Sequence, residues 1–294
     1  MTRAALLVLA MVVAAACANA NVVSPTPTPT PVTASASADA LGPGRLVSGS
    51  FRSAALGRTM PYTVYLPTGY DADAGTRFPT LYLLHGGGGS RREWIDYGAV
   101  TAADALITAR EIPRMVIVFP QGDEEYWVDH IVSRIDDGAK WGTYLAKEVV
   151  PEIDAKFRTL AEPRGRAIGG SSMGGHGAMQ LALNFPGIWS AIGAHSPSLR
   201  PVGDAPTYLG TGAEFAARDP YALIGAKPAL ARSYRWWIDA GDADPWIAAT
   251  RQIHEELSAL GIAHEWHEWP GDHSAAYWSA HIPDYLRWYG SVLG

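Results

Sequence analysis

The chain has 294 residues, of which 48% are hydrophobic and 18% are charged, a composition that excludes an intrinsically disordered protein and allows a sizeable core. Its 23 basic and 29 acidic residues give a net charge of −6, so charge offers no reason to expect nucleic acid as a partner. The single cysteine, Cys17, excludes an internal disulfide. The length fits one large domain or two small ones.

The N-terminus has the pattern of an export signal. Arg3 precedes an apolar run at residues 4–16, which is too short to span a bilayer and is typical of a secretory signal peptide. Residues 18–20 read Ala-Asn-Ala, a cleavage site that would remove Cys17. Alternatively, the Ala-Ala-Ala-Cys sequence that ends at Cys17 resembles a bacterial lipoprotein signal, although Ala14 replaces its usual large aliphatic residue. A third interpretation treats Cys17 as an ordinary small residue of the apolar run.

A tether of proline, threonine, serine and alanine follows at residues 21–43. Such a segment buries too little apolar surface to offset its ordering entropy, so we expect it to be disordered. A tether after a lipidated cysteine would hold a domain away from a membrane, which favours lipoprotein-type cleavage before Cys17 within the signal peptide of residues 1–20. We expect a bacterial extracytoplasmic protein, secreted or anchored to the membrane through Cys17. Mass spectrometry of the mature N-terminus separates the two, because a chain that begins at Asn21 would exclude the anchor.

Residues 44–294 are predicted to form one α/β domain. Almost continuously apolar segments such as TLYLL and MVIVF are typical of parallel strands that are covered on both faces. Helical patterns lie between the strands, including an i, i+4 apolar series from Leu145 to Phe157 that Pro151 is expected to interrupt. The alternation predicts a mostly parallel central sheet of about eight strands with helices on both faces and an antiparallel N-terminal start. The predicted strands lie at residues 45–53, 62–66, 80–84, 115–119, 166–169, 190–195, 234–239 and 264–269.

The sequence Gly-Ser-Ser-Met-Gly at residues 170–174 has the G-x-S-x-G pattern of a nucleophile elbow. It follows a predicted strand and opens a predicted helix, and its glycines leave room for a sharp turn at Ser172. At a helix N-terminus, Ser172 would lie where the helix dipole favours developing negative charge. Small residues also collect in ordinary turns, but a phosphate-binding loop is disfavoured because no Gly-Lys-Ser/Thr follows.

A second glycine-rich segment, His85-Gly86-Gly87-Gly88-Gly89, comes directly after the strand TLYLL. At this position it matches the HGGG-type loop that donates an N–H group to an oxyanion hole. We take Gly87 as the first candidate donor and Gly86 as the second, paired with the N–H of Met173. His85 is interpreted as a structural residue that holds the loop.

Three carboxylates compete for the role of the acid, namely Asp239, Asp242 and Asp244, which follow the strand YRWWI. Asp239 still lies within the predicted strand and Asp242 lies in the turn. Asp244 is favoured because the loop can point it back at a histidine, with Asp242 as the alternative. A calcium loop would need a glutamate that does not follow at the required spacing.

The base is predicted to be His273, which lies in a loop after the last strand and C-terminal to the candidate acid. The order Ser172, Asp244, His273 is that of the α/β-hydrolase fold. His264 and His267 are three positions apart in a predicted strand, so they are expected on opposite faces and not in a metal site.

From about Ser48 to the C-terminus the sequence resembles the esterase D, feruloyl esterase and antigen 85 group of α/β-hydrolases. The resemblance implies an α/β-hydrolase fold, a nucleophile at Ser172, an acid at Asp244, a base at His273, and oxyanion donors at Gly87 and Met173. It implies neither a metal nor an organic cofactor. The segments that carry the resemblance are LYLLHGGGGSRREW, MVIVFPQG, AKEVVPEIDAKF, AIGGSSMGGHGAMQLALNFP, DAGDADPW and WPGDHSAAYW.

The resemblance implies a serine carboxylesterase that acts on a small-molecule or saccharide ester. Two alternatives remain, an acyltransferase of the antigen 85 type and a non-catalytic envelope binding protein. Residues 123–134 and 197–220 match no pattern that would identify the acyl or alcohol group. Trp94, Tyr126 and Trp127 follow the glycine loop or the strand MVIVF, where ligands bind in open α/β folds, so they are candidates for the substrate pocket. The oligomeric state is left open.

Overall fold

The protein is described here by a computed structural model that covers residues 43–72, 74–134 and 137–293. The predicted signal peptide, Cys17 and all of the predicted tether except Pro43 lie outside the described residues. Within the described part of the chain, no helix is both long enough and apolar enough to cross a membrane.

The fold is built on one eight-stranded sheet with the strand order β1-β2-β4-β3-β5-β6-β7-β8. Strands β3 to β8 run parallel, whereas β2 pairs antiparallel with both β1 and β4. This arrangement confirms the predicted fold class and its antiparallel start. The strands are β1 (Arg45–Arg52), β2 (Thr59–Leu66), β3 (Thr80–Leu84), β4 (Val116–Pro120), β5 (Arg166–Ser171), β6 (Ala191–His195), β7 (Arg235–Gly241) and β8 (Glu265–Trp269).

Helices cover both faces of the sheet, and each face has its own apolar core. One core includes residues of α1, α2 and α10, and the other includes residues of α4, α5, α7 and α9. The central strands β3, β4 and β5 are fully buried, which explains their continuous apolar runs. The helices are α1 (Glu93–Asp96), α2 (Ala99–Thr108), α3 (Trp141–Thr143), α4 (Val150–Lys156), α5 (Met173–Asn184), α6 (Ala213–Ala216), α7 (Pro220–Ala226), α8 (Pro228–Ala231), α9 (Ile247–Ala259) and α10 (Ala275–Val292).

The chain stays helical from Trp141 to Lys156, so the expected interruption at Pro151 is a change from π-helical to α-helical hydrogen bonding and not a break. A π-helical stretch at Tyr144–Val149 precedes α4, and Pro151 lies in the first turn of α4. Proline has no amide hydrogen to donate to the preceding turn, and it lies next to the π-helical stretch, where the regular pattern of hydrogen bonds is already altered.

Glycines in the middle of the sheet let α10 approach closely. A Cβ atom at either Gly169 of β5 or Gly193 of β6 would collide with the hydroxyl of Tyr289. The Tyr289 side chain therefore contacts the sheet at β5 and β6, and β5 is the strand that leads to Ser172. Helix α5 is similarly close to β3, because a Cβ at Gly174 would collide with the backbone of Leu84.

Candidate active site

Ser172 occupies a sharp turn between β5 and α5. Its backbone has φ 54° and ψ −118°, a conformation that costs a residue with a side chain about 1–3 kcal/mol. The surrounding backbone holds this conformation, since the Ser172 amide donates to the His195 carbonyl at 3.0 Å and its carbonyl accepts from Ser198 at 3.1 Å. A Cβ at Gly170 would lie 2.5 Å from the carbonyl carbon of Gly174, so the turn needs both glycines.

Ser172, His273 and Asp244 form a continuous hydrogen-bond chain. His273 Nε2 lies 2.8 Å from Ser172 Oγ, and His273 Nδ1 lies 2.7 Å from Asp244 Oδ2. With Nδ1 donating to the carboxylate, Nε2 is the nitrogen that can accept the serine proton. The Asp244 side chain is 0% exposed and that of His273 is 21% exposed, so the base can be reached from solvent while the acid is shielded from it.

The geometry separates Asp244 from the alternative, Asp242. The second oxygen of Asp244 accepts the amide of Trp246 at 2.7 Å, which fixes the carboxylate facing His273. Asp242 instead accepts the Gly271 amide at 3.0 Å and joins its own loop to the loop that carries His273. Of the two, Asp244 is therefore the carboxylate that contacts the imidazole.

Hydrogen-bond partners distinguish the Gly87 amide from the Gly86 amide. The Gly86 N–H already donates to Glu93 Oε1 at 2.8 Å. The amides of Gly87 and Met173 have no hydrogen-bond partner among the described residues, and both residues line the cleft at Ser172. Met173 is the first residue of α5, where an amide has no partner within the helix. Gly87 and Met173 thus present the pair of N–H groups.

Glu93 is a residue of this site that the sequence analysis missed. Its Oε1 accepts both the Gly86 amide at 2.8 Å and the Ser171 hydroxyl at 2.7 Å. A Cβ at Gly89 would collide with the other carboxylate oxygen, so the glycine loop wraps closely around this side chain. Glu93 therefore joins the loop of Gly87 to the elbow of Ser172. In the sequence it looks like an ordinary acidic residue at the start of a helix, and no spacing rule marks it.

His85 has the structural role that the sequence predicted. Its Nδ1 donates to the Gly86 carbonyl at 2.8 Å, and its Nε2 accepts the Gly122 amide at 2.9 Å. Burial lowers the pKa of His85, which favours the neutral ring that these two contacts require. The side chain thereby ties the end of β3 to the segment after β4.

The cleft in front of Ser172 has a volume of about 610 Å³ and a mixed polar and aromatic wall. Tyr126 lies in this wall, as predicted, and its hydroxyl contacts Ser198 Oγ at 3.0 Å and Arg200 Nε at 2.9 Å. Arg200 also pairs with Asp204 at 3.0 Å and lies 4.7 Å from the centre of the Trp246 ring. The other lining residues are Gly87, Glu124, Met173, Ala205, Pro206, Tyr208 and His273.

The structure corrects the expectation that Trp94 and Trp127 line this cleft. Trp94 is 2% exposed and donates from its indole to the Leu84 carbonyl at 2.9 Å within the core. Trp127 is 1% exposed and donates to the His85 carbonyl at 3.2 Å. Both indole rings are packed in the core, and each indole N–H donates to a backbone carbonyl there. Trp127 instead anchors the loop that carries Tyr126.

Comparison with known proteins identifies the family of the chain. The family model described as Putative esterase matches residues 53–289. A curated esterase of Mycobacterium tuberculosis is 31% identical over 257 residues, which cover 76% of this chain and 54% of that protein. An endo-1,4-beta-xylanase/feruloyl esterase of Xylanibacter ruminicola is 30% identical over 156 residues, or 51% of this chain and 21% of that protein. The chain spans about half the length of the first of these relatives and less of the second.

Solved structures share the fold. A ferulic acid esterase superposes with a TM-score of 0.75 and 23% identity, and the match covers 85% of this chain and 99% of that one. An S-formylglutathione hydrolase from Agrobacterium tumefaciens gives a TM-score of 0.72 and 21% identity, with 85% of this chain and 96% of that one covered. Both comparisons support the same architecture over nearly the whole length of the two structures.

We predict that Glu93→Ala loosens the glycine loop, whereas Glu93→Gln largely preserves it. A hydrogen bond to a charged acceptor contributes about 1.5–3 kcal/mol, so its loss should speed amide exchange in the loop by about 10–100-fold. Hydrogen-exchange mass spectrometry of peptides covering residues 85–90 measures this. Glu93→Gln keeps an oxygen acceptor at the same position and should exchange much closer to the wild-type rate. Unchanged exchange in Glu93→Ala would show that the carboxylate does not hold the loop.

Proposed function

The chain belongs to the Putative esterase family, and on that premise we propose that it is a serine carboxylesterase that acts through an acyl-enzyme. The observation that carries the proposal is the unbroken hydrogen-bond chain from Ser172 through His273 to Asp244. It has the residue types, the chain order and the distances that nucleophilic acyl transfer requires.

In the first step His273 Nε2 takes the proton of Ser172 as Oγ attacks the ester carbonyl. The Nε2–Oγ distance of 2.8 Å is within range for this transfer. Asp244 holds the imidazole through Nδ1 and stabilises the imidazolium that forms. Because the Asp244 side chain is 0% exposed, its charge acts on the imidazole with little screening by water.

The negative charge on the carbonyl oxygen develops between the amides of Gly87 and Met173. One of these groups belongs to the glycine loop and the other to the first residue of α5, and both residues line the cleft at Ser172. Each such preorganised donor is worth about 3–4 kcal/mol in the transition state. Glu93 keeps the loop donor close to the elbow by binding Gly86 and Ser171.

Collapse of the tetrahedral intermediate breaks the bond to the alcohol, and His273 returns its proton to the leaving oxygen. Water then enters the cleft and gives a proton to His273 as it attacks the acyl-enzyme. The second collapse releases the acid and restores the Ser172 hydroxyl. Every proton transfer in the cycle uses the same imidazole, and one water molecule is consumed for each ester that is cleaved.

We predict that Asp244→Asn lowers kcat far more than Asp242→Asn does, because only Asp244 contacts His273. Asp244→Asn should lower kcat for a p-nitrophenyl ester by about 10⁴-fold, because the amide favours the wrong imidazole tautomer. Asp242→Asn should cost less than about tenfold, since it weakens one loop contact. Steady-state kinetics of the two folded variants show which of the two aspartates acts as the acid. A larger loss in Asp242→Asn than in Asp244→Asn would reverse the assignment.

The cleft supports a carbohydrate-linked or aryl ester as the substrate. Tyr126, Arg200 and Tyr208 supply hydrogen-bonding groups, and Trp246 adds an aromatic ring. Such a wall suits a hydroxylated or aromatic group more than a long alkyl chain. The feruloyl esterase activity in the name of the Xylanibacter ruminicola relative is consistent with this class.

We predict that a panel of acetyl, short-chain, feruloyl and long-chain esters shows its highest kcat/KM with feruloyl or sugar-linked esters. Tyr126→Phe should raise KM for these esters by about 5–10-fold, the cost of one lost hydrogen bond, and should affect p-nitrophenyl acetate less. Equal effects on all the esters would show that Tyr126 does not contact the distinguishing group. A preference for long-chain esters would contradict the proposed substrate class.

A further inference from the structure

Asp239, in strand β7, is a buried carboxylate that takes no part in the proposed acyl transfer. Its side chain is 0% exposed. Oδ1 accepts from His195 Nδ1 at 2.7 Å and from Trp237 Nε1 at 2.7 Å. Oδ2 accepts from the hydroxyls of Tyr277 and Tyr285, each at 2.9 Å. A buried carboxylate without this set of donors would be strongly destabilising, so the four contacts form a unit.

The tyrosines that donate to Asp239 lie on one face of helix α10. Tyr277, His281, Tyr285 and Tyr289 follow one another at intervals of four residues, so they form one stripe along the helix. The Tyr289 hydroxyl lies 3.0 Å from His195 Nε2, on the other side of the ring that donates to Asp239. Burial and the Asp239 charge raise the pKa of Tyr277 and Tyr285, so both hydroxyls remain donors.

Tyr277 connects Asp239 to the loop of the base. It lies four residues after His273, in the first turn of α10, and its amide donates to the Ser274 side chain at 3.4 Å. A Cβ at Gly271 would lie 2.7 Å from the Tyr277 ring, and Gly271 has a φ of 146°. The Tyr277 ring therefore packs directly against the backbone that leads to His273.

The same carboxylate residue is linked to the nucleophile and to the acid. The backbone carbonyl of His195 accepts the Ser172 amide at 3.0 Å, and the Asp239 carbonyl accepts the Ser196 amide at 2.8 Å. Asp244 lies five residues after Asp239, in the loop that follows β7. Residue 239 is thus connected to Ser172 and Asp244 through the backbone, and to the start of α10 through Tyr277.

We propose that Asp239 is a buried anchor that positions His273 through Tyr277. The inference rests on the proposed esterase function, because its main effect is on the alignment of His273 with Ser172. Asp239 and Tyr277 are positioning residues and do not touch the substrate. Loss of the contact between them should let the start of α10 shift and lengthen the bond from His273 to Ser172.

Tyr277→Phe and Tyr285→Phe form a matched pair for the test. Each removes one hydroxyl from the same oxygen of Asp239, and both contacts are 2.9 Å long. Of these two tyrosines, Tyr277 is the one that packs against the His273 loop, since Tyr285 lies about two helical turns further along α10. A purely structural role of Asp239 would make the two variants alike, whereas a positioning role separates them.

We predict that Tyr277→Phe lowers kcat by about 10–100-fold with KM changed less than about twofold, as expected when a catalytic group is displaced. Tyr285→Phe should keep kcat within about threefold of wild type, with a similar loss of hydrogen-bond energy. Thermal unfolding of both variants checks that their stabilities are comparable. Equal kcat values in the two variants would overturn the inference.

A readout that does not depend on activity comes from proton NMR. The downfield proton of His273 Nδ1, assigned by its loss in Asp244→Asn, should shift or broaden in Tyr277→Phe and persist in Tyr285→Phe. If Tyr277→Phe does not fold, Asp239→Asn, which keeps the side-chain shape, should show the same change. An unchanged signal in the variant tested would overturn the inference. Retention of wild-type activity in Ser172→Ala would instead overturn the proposed function.

Discussion

The turn at Ser172 is the constraint on which the rest of the structure depends. A serine with φ 54° is strained, and such a conformation persists only where the surroundings determine it from several sides. Here the end of β6 binds its amide, Ser198 binds its carbonyl, and glycines at positions 170 and 174 make room for the turn. The turn exposes Oγ at the carboxyl edge of the sheet, where the loops after β3, β7 and β8 can reach it.

Four carboxylates around this turn have four different partners, and the partners define their roles. Asp244 contacts the imidazole, Asp242 joins two loops, Glu93 holds the glycine loop, and Asp239 lies beneath all of them. Only Asp244 is placed to act on the reacting atoms. The other three act on backbone geometry, so their removal should alter alignment more than chemistry.

The sequence predicts the strands well because they depend on local patterns, and the candidate triad also rests on local patterns. Apolar runs locate the buried strands, and G-x-S-x-G locates the turn that follows β5. The observed strand ends differ from the predicted ones by a few residues at most, as at β5, which continues to Ser171. The sequence favours Asp244 over Asp242 but leaves both open, since they lie in one short loop and differ in their hydrogen-bond partners, which only the structure shows.

The residues that the sequence failed to assign depend on contacts between distant segments. Trp94 and Trp127 lie next to the site in sequence but are buried in the core, where their indoles bind the backbone carbonyls of Leu84 and His85. Glu93 and Tyr277 have no motif of their own, and their partners lie 7 to 78 residues away for Glu93 and 38 residues away for the Asp239 contact of Tyr277. Local periodicity carries no information about such pairs.

The central claim is that Ser172 is the nucleophile, and covalent labelling tests it most directly. The protein is incubated with a fluorophosphonate, which reacts with an activated serine, and is then digested and analysed by mass spectrometry. The account predicts one adduct on the peptide that contains Ser172, and no adduct in folded Ser172→Ala. An adduct at another serine, or no adduct on a wild-type protein that hydrolyses esters, would contradict it.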